Sequence, residues 1–426
     1  MIKAAQCAIH IVSDSKGNRR EKGIGMQKAL ITAMKRTIRE VNRWPKKAVR
    51  IFHHNDADGL CSAAILTRAF ERQGFKVKRF CLEKPYPAVL ERIYEQEGCL
   101  LVFADFAGRI APMLSELNRG RNLTVILDHH PAEASTDPKV HNLDPDLYGL
   151  KGDRDITAST TCYLFATALD PANRDLVHIA ALGAVGDKFF VAGRLVDQNR
   201  EVALEAVRQG RMKIRKHGPG EQYILKTPGG DIPCDELGVY LDILGGAGYY
   251  RDGPEMGVKV CLEGVSAESD LMVEVLRKIQ TQAFDAEIKR LQEAGLEKSA
   301  HIQWFHVRGR FVPMGVKMIG LFCEALKNME FIDPQRYIAG FQTVPNEIPG
   351  FGTIEFNQVK ISMRVTHQME RQIREGKAKG LNVFLPEATN RLGGFSDACH
   401  SLTAATTVAA GKEAALIREM ERYLSA

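Results

Sequence analysis

Hydrophobic and polar positions in the first half of the chain alternate between short strand patterns and longer helical ones. Runs of β-branched and aliphatic residues predict strands at 49–52, 74–81, 100–104 and 122–127. Apolar residues at helical spacing predict helices at 24–44, 60–70, 87–96, 158–169 and 176–184. Strands that alternate with helices are typical of a parallel sheet covered on both faces. We therefore predict an α/β domain here.

The pattern changes near residue 266, where a long polar helix with one apolar stripe is predicted over 266–294. Gly295 is the residue expected to end it. Beyond it, strands are predicted at 302–307, 337–343 and 359–365, and helices at 315–328, 367–376 and 403–424. This part is predicted to be a second, compact α/β domain.

Acidic residues and histidines stand directly after three of the predicted strands. They are His54, Asp56 and Asp58 after the first strand, Asp105 after the third, and Asp128, His129 and His130 after the fourth. Gly59 permits a sharp turn after the first group. In open α/β sheets, ligands bind at this end of the strands. The alternative for 128–130 taken alone is a solvated turn, but the repetition favours a shared site.

A further acid, Asp187, follows glycines and small residues. This many carboxylates repel one another unless cations are gathered with them, so their convergence predicts bound metal. A set of acids and imidazoles suits manganese, zinc or iron. One ion needs three or four protein ligands. Seven or eight candidates therefore predict two ions about 3.5–4 Å apart, as in hydrolases of phosphate esters.

The order of these motifs resembles the DHH phosphoesterase superfamily with a DHH-associated domain, in particular its RecJ-like single-strand exonuclease branch. The motifs are HxDADG at 54–59, the aspartate at 105, DHH at 128–130 and GxxGD at 183–187. The superfamily also includes nanoRNases, cyclic-dinucleotide phosphodiesterases, exopolyphosphatases and manganese pyrophosphatases. The resemblance implies a parallel-sheet DHH catalytic domain joined by a long helix to a smaller α/β DHH-associated domain.

The resemblance also implies a role for each motif residue. Metal ligands would be His54 and Asp56 for one ion, Asp58, His129 and Asp187 for the other, and Asp105 as the bridge. Asp128 would orient the imidazoles, as outer-shell acids do, and His130 would contact the scissile phosphate. The implied cofactors are two divalent ions, manganese first and magnesium as the alternative.

The same resemblance divides the chain into four segments. They are a basic helical extension at 1–48, the DHH catalytic domain at 49–265, the connecting helix at 266–295 and the DHH-associated, substrate-binding domain at 296–426. The catalytic domain would close with a glycine-rich turn and a strand within 241–262.

The substrate motif of the DHH-associated domain is GGGH in the family, and this sequence departs from it. Gly393 and Gly394 are kept, but Phe395 stands in the place of the histidine. Predicted substrate contacts are Arg364, Arg391, Gly393, Gly394 and His400, the last as a replacement for that histidine. The guanidinium groups could fork onto phosphate, and glycine lets backbone amides approach it.

Charge is unevenly distributed along the chain. The whole chain carries a net charge of +6, whereas residues 1–50 hold 13 Lys and Arg against three acids. A basic segment on a slightly acidic body predicts contact with nucleic acid, and the alternative is a solvated amphipathic helix. A second basic patch, from Arg208 to Lys216, is either the solvated end of a helix or the lining of a nucleic-acid groove.

Composition excludes several other classes of protein. Hydrophobic residues make up 45% and charged residues 26% of the chain, as in ordinary globular proteins. No apolar run approaches the ~18 residues of a membrane span, and we expect neither a signal peptide nor a membrane partner. Nine scattered cysteines without a CxxC pair favour a reducing, cytoplasmic location.

The sequence as a whole predicts a two-metal phosphodiesterase that digests single-stranded DNA or RNA, or short oligonucleotides, from an end. One alternative is a phosphodiesterase or phosphatase for small nucleotides such as dinucleotides. Another is a binding protein that keeps the motifs as a structural metal site. A homodimer is compatible with the sequence. The choice between DNA and RNA, the direction of digestion and the identity of the metal stay open at this point.

Overall fold

The computed structural model describes residues 25–227 and 229–425. Residues 1–24 of the predicted N-terminal extension lie outside them. The first described helix, α1, spans 25–43 and ends just before Pro45, since proline cannot continue a helix. It buries Leu30, Met34 and Val41 on one stripe, as expected for a surface helix.

The chain then alternates strands and helices as the sequence predicts. The elements are β1 (Ala48–His53), α2 (Ala57–Arg72), β2 (Lys76–Cys81), α3 (Pro87–Tyr94), β3 (Leu100–Ala104), α4 (Ala111–Asn118), β4 (Leu123–Leu127), β5 (Val140–Asn142), α5 (Ala158–Leu169), α6 (Val177–Gly186) and α7 (Asp197–Arg208). The sheet has the order β2-β1-β3-β4-β5, and β1, β3, β4 and β5 pair in parallel. All five residues of β3 and of β4 are buried. The prediction of a parallel sheet covered on both faces is confirmed.

A small antiparallel sheet follows: β6 (Met212–His217), β7 (Gly220–Thr227) and β8 (Gly230–Pro233). The sequence predicted no strand here, and the helix-end alternative for the patch from Arg208 to Lys216 is wrong for Met212–His217. These residues belong to a hairpin with a two-residue turn, Gly218–Pro219, in which Gly218 has φ 54°. Strands were predicted from runs or alternations of apolar residues, and β6 was missed because most of its residues are basic.

Helices dominate the next stretch: α8 (Cys234–Asp242), a π-helical turn at Ile243–Ala247, α9 (Gly253–Glu263) and α10 (Ala267–Ala294). The strand predicted within 241–262 is wrong, because α9 occupies this position. Pro254 lies in the first turn of α9, where proline favours a helix start. The long helix is confirmed: Ser266 and Ser269 form a capping box, and Gly295 with φ 75° ends it.

The remaining residues form a six-stranded mixed sheet and its helices. They are β9 (Glu297–Lys298), β10 (Ile302–Arg308), α11 (Met318–Leu326), β11 (Tyr337–Thr343), β12 (Glu347–Ile348), β13 (Gly352–Thr353), β14 (Gln358–Arg364), α12 (His367–Arg374), α13 (Leu381–Arg391), β15 (Phe395–Cys399), β16 (Thr403–Ala409) and α14 (Glu413–Ser425). The sheet order is β15-β16-β14-β11-β10-β9. Its core includes Phe341, Ile361, Phe384 and Leu416. The α/β prediction for this part is confirmed.

The helix predicted over 403–424 is wrong for its first third. Thr403–Ala409 is the strand β16, which pairs antiparallel with both β14 and β15. Its alanines suggested a helix, but Thr406, Thr407 and Val408 are β-branched and buried in the middle of a sheet. Tertiary pairing decided the outcome at a position where local preference was balanced.

The described residues group into two compact units. The first takes in the described residues up to His53, with Cys61–Arg79 and Tyr94–Gly238. The second takes in His54–Leu60, Phe80–Ile93 and the residues from Val239 onward. No helix among the described residues is both long enough and apolar enough to cross a bilayer.

Candidate metal centre

The parallel register aligns the ends of three strands in the first unit. His53 of β1 pairs with Ala104 of β3, and Ala104 pairs with Leu127 of β4. The residues that follow these strands therefore leave the sheet at one edge, the edge at which α/β proteins bind ligands. Asp105 and the motif at 128–130 begin at this edge.

Asp105 follows β3 with a left-handed backbone, φ 67°, and Ala107 has φ 86°. Such values are uncommon for residues other than glycine and cost free energy that the surroundings must offset. The Asp105 amide donates to the Leu127 carbonyl at 3.0 Å, which fixes this turn to the end of β4. The buried Asp105 carboxylate is thereby held beside the residues that follow β4.

Four predicted site residues meet in the first unit: Asp105, Asp128, His129 and His130 each offer a ligand atom, and these atoms lie within 4.8 Å of one another. His129 Nε2 is 3.3 Å from Asp105 Oδ1 and 3.5 Å from Asp187 Oδ2. His129 Nδ1 is 2.9 Å from the Gly152 carbonyl oxygen. This acceptor holds the proton on Nδ1 and leaves the Nε2 lone pair directed toward the two carboxylates, the tautomer that a metal-binding histidine needs.

Gly152 is required for this arrangement. A Cβ atom at this position would lie 1.4 Å from the His129 carbonyl oxygen, so any other residue would push the loop away from the histidine. The sequence analysis did not single out Gly152, because a glycine in a loop gives no local sign of what it approaches.

Asp128 holds three donors. Its carboxylate accepts from the Gly108 amide at 2.8 Å, from the His129 amide at 2.8 Å and from His130 Nδ1 at 2.7 Å. Burial raises the pKa of Asp128, but the charge and hydrogen bond of His130 outweigh it, so the pKa lies well below its usual range. Burial lowers the pKa of His130, but the charges and hydrogen bond around the ring, chiefly those of Asp128, outweigh this effect and raise the pKa to about 8.

Asp187 lies immediately after α6, and its amide donates to the Gly183 carbonyl. A carboxylate at the carboxyl end of a helix is unfavourable, because the helix dipole places negative charge there. A nearby cation would offset this cost. The Asp187 position therefore fits a metal ligand better than a structural acid.

Asp144 is a buried acid of this site that the sequence analysis missed. A Cβ at Gly108 would lie 2.5 Å from Asp144 Oδ2 and 3.0 Å from Asp128 Oδ2, so both carboxyl groups line the space left by this glycine. Burial raises the pKa of Asp144 well above its usual value, and the charge of Asp128 adds to the effect. Asp144 follows β5, which at three residues gave no strand signal.

The second unit contains the first motif. His54 Nδ1 lies 2.7 Å from Asp56 Oδ2, and Asp56 Oδ1 accepts from the Gly59 amide at 3.0 Å, which caps the start of α2. Asp58, in the first turn of α2, is buried. Gly59 is needed for space, because a Cβ there would lie 2.5 Å from the His54 carbonyl oxygen.

Lys317 is a charged neighbour of this motif that sequence reasoning missed. Its Nζ lies 3.4 Å from Asp56 Oδ2 and 3.4 Å from Asp242 Oδ1. The Asp242 carboxylate also accepts from the Ala57 amide at 3.2 Å. Burial lowers the pKa of Lys317, but the charges of Asp56 and Asp242 outweigh it and raise the pKa above its usual value.

Glu83 fixes the backbone that carries Lys317. Its carboxylate accepts from the amides of Val316 and Lys317, at 2.8 and 2.9 Å. It also accepts from the Asn55 side chain at 3.3 Å. The loop of the first motif and the turn before α11 are therefore held by the same buried acid.

The predicted substrate contacts lie on the mixed sheet and α13. Arg364, at the end of β14, pairs with Glu324 at 3.2 Å. Arg391, at the end of α13, lies over the Tyr423 ring at 5.2 Å and 3.8 Å from Glu419. The His400 amide donates to the Thr403 carbonyl across the β15–β16 turn.

Gly393 and Gly394 have a local structural explanation. Their amides donate to the carbonyls of Asn390 and Thr389, both at 3.0 Å, and Gly393 has φ 69°, as at the end of a helix. A Cβ at Gly394 would lie 2.4 Å from the Thr407 carbonyl oxygen of β16. Phosphate contact at these two residues stays a prediction.

The first-unit cluster has the donor chemistry of a divalent metal site. Carboxylate oxygens and an imidazole nitrogen with a fixed tautomer are ligands that manganese, iron and zinc accept. The hydrogen bonds to Gly152 and within the Asp128–His130 pair supply the outer contacts that orient such ligands. The residues present therefore fit a bound metal.

Comparison with known proteins agrees with the motifs. Residues 48–184 match the DHH family, N-terminal domain. An uncharacterized protein of Methanocaldococcus jannaschii is 28% identical over 172 residues. This match covers 39% of the present chain and 38% of the relative, so it extends over a little more than a third of either protein.

Two solved structures resemble almost the whole chain. A DHH-domain protein described as a member of the s1p family of ribosomal proteins has a TM-score of 0.61 at 14% identity, and covers 98% of both chains. A structure of exonuclease RecJ bound to manganese has a TM-score of 0.57 at 17% identity, with 93% of this chain and 94% of that chain covered. At these identities the likeness shows a shared fold.

Proposed function

Because the chain carries a DHH family N-terminal domain within a RecJ-like fold, we propose that it is a metal-dependent phosphodiesterase. It hydrolyses single-stranded nucleic acid or oligonucleotides from an end. The observation that carries the proposal is the cluster of Asp105, Asp128, His129 and His130, with ligand atoms within 4.8 Å of one another. Carboxylates and imidazoles gathered in this way suit a divalent ion that acts on phosphate esters.

Two divalent ions, manganese first and magnesium as the alternative, are the proposed cofactors. Residues proposed to hold them are His54 and Asp56 for one ion, Asp58, His129 and Asp187 for the other, and Asp105 for both. The register that ends β3 and β4 at one edge supports this assignment for Asp105 and His129, which follow those strands. Bound ions would activate a water molecule and offset the charge that develops on the phosphoryl oxygens.

Asp128 and His130 are proposed to bind and orient the substrate phosphate. Asp128 holds His130 by Nδ1, which leaves Nε2–H of the protonated ring as a donor to a phosphoryl oxygen. A charged donor of this kind forms a stronger hydrogen bond than a neutral one. His129, fixed by Gly152, offers its Nε2 as a ligand and takes no proton from the substrate.

We assign phosphate or base contacts in the second unit to Arg364, Arg391, Gly393, Gly394 and His400. The half-exposed guanidinium of Arg391 could exchange Glu419 for a substrate phosphate, because its pair with that carboxylate is long at 3.8 Å. Arg364 has a closer carboxylate, Glu324, and its contact with substrate would require that pair to open.

The proposal is tested by the products formed from end-labelled single strands of DNA and RNA and from dinucleotides, each with manganese and with magnesium. We expect a ladder of products that shortens from one end of the single strands. Best activity on a dinucleotide would instead support the small-nucleotide phosphodiesterase, and no cleavage of any substrate would contradict the proposal.

Asp105→Asn tests the metal assignment in the same assay. It keeps the shape of the side chain but removes the charge shared by both ions, so turnover should fall by at least about 10³-fold, the scale seen when a key electrostatic group is lost. Asp235→Asn, an exposed acid of α8, is the matched control and should keep parental activity. Parental turnover in Asp105→Asn with manganese present would refute the two-metal assignment.

A further inference from the structure

A basic pocket lies in the first unit, outside the metal-ligand cluster. It has a volume of about 500 Å³ and lies between the loop that follows Asp187 and the β6–β7 hairpin. Its lining includes Arg194 from the loop, Ile214, Arg215 and Lys216 from β6, and Gly220 and Glu221 from β7. We name it the hairpin pocket.

The charge of the hairpin pocket is positive, because its one acid is already neutralised. Glu221 forms two hydrogen bonds with the Arg200 guanidinium and one with the Tyr223 hydroxyl. Arg215 donates to the neutral amide oxygen of Gln222, at 2.9 and 2.7 Å. Within the described part of the chain, Arg194 and Lys216 form no ion pair.

Neighbouring basic residues differ from these in their pairing. Lys213, on the same strand β6, is 2.6 Å from Asp231 of β8. Arg208, at the end of α7, is 2.8 Å from Glu205. Of the patch from Arg208 to Lys216 that the sequence singled out, Arg215 and Lys216 line the pocket.

The loop is fixed rigidly to the hairpin. The Glu221 amide donates to the Gly193 carbonyl at 2.9 Å, and a Cβ at Gly193 would lie 2.7 Å from the Gly220 Cα. Only glycine at both positions allows this approach, and Gly193 has φ 72°. The backbone on both sides of the pocket is therefore held in place before any ligand binds, which lowers the entropic cost of binding.

The same loop links the pocket to the metal-ligand cluster. Asp187 and Arg194 are seven residues apart, and Phe189 between them lies edge-on to the His129 ring at 6.1 Å. Phe190 is 37% exposed and stacks on Tyr223 with ring centroids 6.3 Å apart. An exposed aromatic ring beside fixed cations is the combination with which proteins bind single strands.

We propose that the hairpin pocket binds backbone phosphates of a single strand whose end lies at the metal centre. This inference rests on the proposed function and adds the path of the strand to it. Arg194, Lys216 and Arg215 contact phosphates, and Phe190 offers a face for a base. The internal phosphate of a dinucleotide is the one that is cleaved, which leaves no further phosphodiester for the pocket, so the pocket favours longer strands.

The test is the binding of a fluorescent single-stranded 20-mer in EDTA, where metal-dependent cleavage cannot occur. It is measured for the parent and for Arg194→Ala/Lys216→Ala at several salt concentrations. Each lost phosphate contact should lower the slope of log K against log salt by about 0.7, so we expect a decrease of about 1.4 and binding weaker by about tenfold or more. Lys213→Ala/Arg208→Ala removes the same net charge from paired residues and should bind within about twofold of the parent.

The outcomes separate this inference from the proposed function. If the parent binds the strand and Arg194→Ala/Lys216→Ala binds equally well, the pocket assignment is refuted and the proposed function stands. Equal weakening in both double variants would also overturn the pocket, since it would report net charge alone. A parent that neither binds nor cleaves any single strand would contradict both.

Discussion

Lys317 carries a charge that is largely removed from solvent. Its ammonium lies between Asp56 and Asp242, and the side chains of all three are less than 30% exposed. When charged groups are this far from water, the cost of their desolvation is offset only by the attraction between opposite charges. Lys317 therefore holds the two carboxylates in place as a positioning residue.

We expect Lys317→Met to destabilise the metal-free protein. Methionine keeps the length of the side chain, but Asp56 and Asp242 are left without their cation at a cost of about 1–3 kcal/mol. This cost corresponds to a decrease in Tm of roughly 2–12 °C for a unit of this size, measured by thermal melting in EDTA. Adding Asp242→Asn should restore part of the lost Tm, because it removes one of the two carboxylate charges that no longer face the ammonium group.

Lys327→Met is the matched control for this prediction. Lys327 pairs with the more exposed Glu324 within one turn of the chain, and such pairs contribute roughly 0–1 kcal/mol. A decrease in Tm for Lys317→Met no larger than that of the control would contradict the positioning role. So would a double variant that melts lower than the single one.

At the residue scale, the sequence predicted the strand-end acids and histidines because each follows a recognisable strand. The grouping of Asp105, Asp128, His129 and His130 follows from the parallel register that this pattern implied. Lys317, Asp144 and Gly152 could not be predicted in the same way. Each acts on a residue distant in the sequence, and nothing in its local pattern indicates that partner.

At the scale of elements, prediction succeeded where the apolar residues followed either the helical or the strand spacing clearly. It failed where the sequence suited both structures equally well. The buried strand β4 and the capped helix α10 have unambiguous patterns and were predicted nearly to the residue. β16 contains alanines and threonines that suit either structure, and its two neighbouring strands decided the matter. β6 depends on its hairpin partner in the same way.

Helix α10 also contains an ion-pair network that the polar pattern could not reveal. Glu287 is 2% exposed and accepts hydrogen bonds from Arg290, one turn along the helix, and from Arg310. Burial raises the pKa of Glu287, but the two guanidinium groups outweigh it and hold the pKa below its usual value. The carboxylate thus attaches α10 to the segment after β10.

We expect Glu287→Gln to lower the Tm by roughly 2–8 °C at pH 7. The change removes a buried charge that both arginines need, at a cost of about 1–2 kcal/mol once solvent screening of the half-exposed arginines is allowed for. Since the pKa of Glu287 is lower in the folded than in the unfolded chain, this stability is present above the unfolded value. It is lost as the pH falls through the folded value.

The difference in Tm between parent and Glu287→Gln should therefore narrow as the pH is lowered from 7 toward and below the usual glutamate pKa of 4.5. Glu268→Gln on the same helix is the control, because Glu268 is 65% exposed and pairs with an exposed lysine. It should change Tm by no more than about 2 °C. A constant difference across this pH range would show that the charge of Glu287 is not what stabilises the helix.

At the scale of the whole molecule, the sequence alone did not decide whether the basic residues of the chain contact nucleic acid or only solvent. The exposed basic residues of α1, Lys35, Arg36, Arg39 and Arg43, have the same sign as the hairpin pocket, but they lie on a regular helix face. They support either of the two interpretations that composition allowed, a nucleic-acid contact or a solvated face. Their contribution can be measured, because counterion release reports only cations that meet phosphates.

Replacing Lys35, Arg36, Arg39 and Arg43 by glutamine should decrease the salt dependence of single-strand binding. If all four contact phosphates, the slope of log K against log salt should fall by about 2.8, at roughly 0.7 for each contact. The measurement is the same titration of a 20-mer in EDTA. Lys213→Ala/Arg208→Ala, which removes two charges rather than four, shows the effect of lost charge alone. Glutamine keeps helix propensity, so Tm should stay close to that of the parent. An unchanged slope would leave these residues as a solvated helix face and would confine strand binding to other surfaces of the protein.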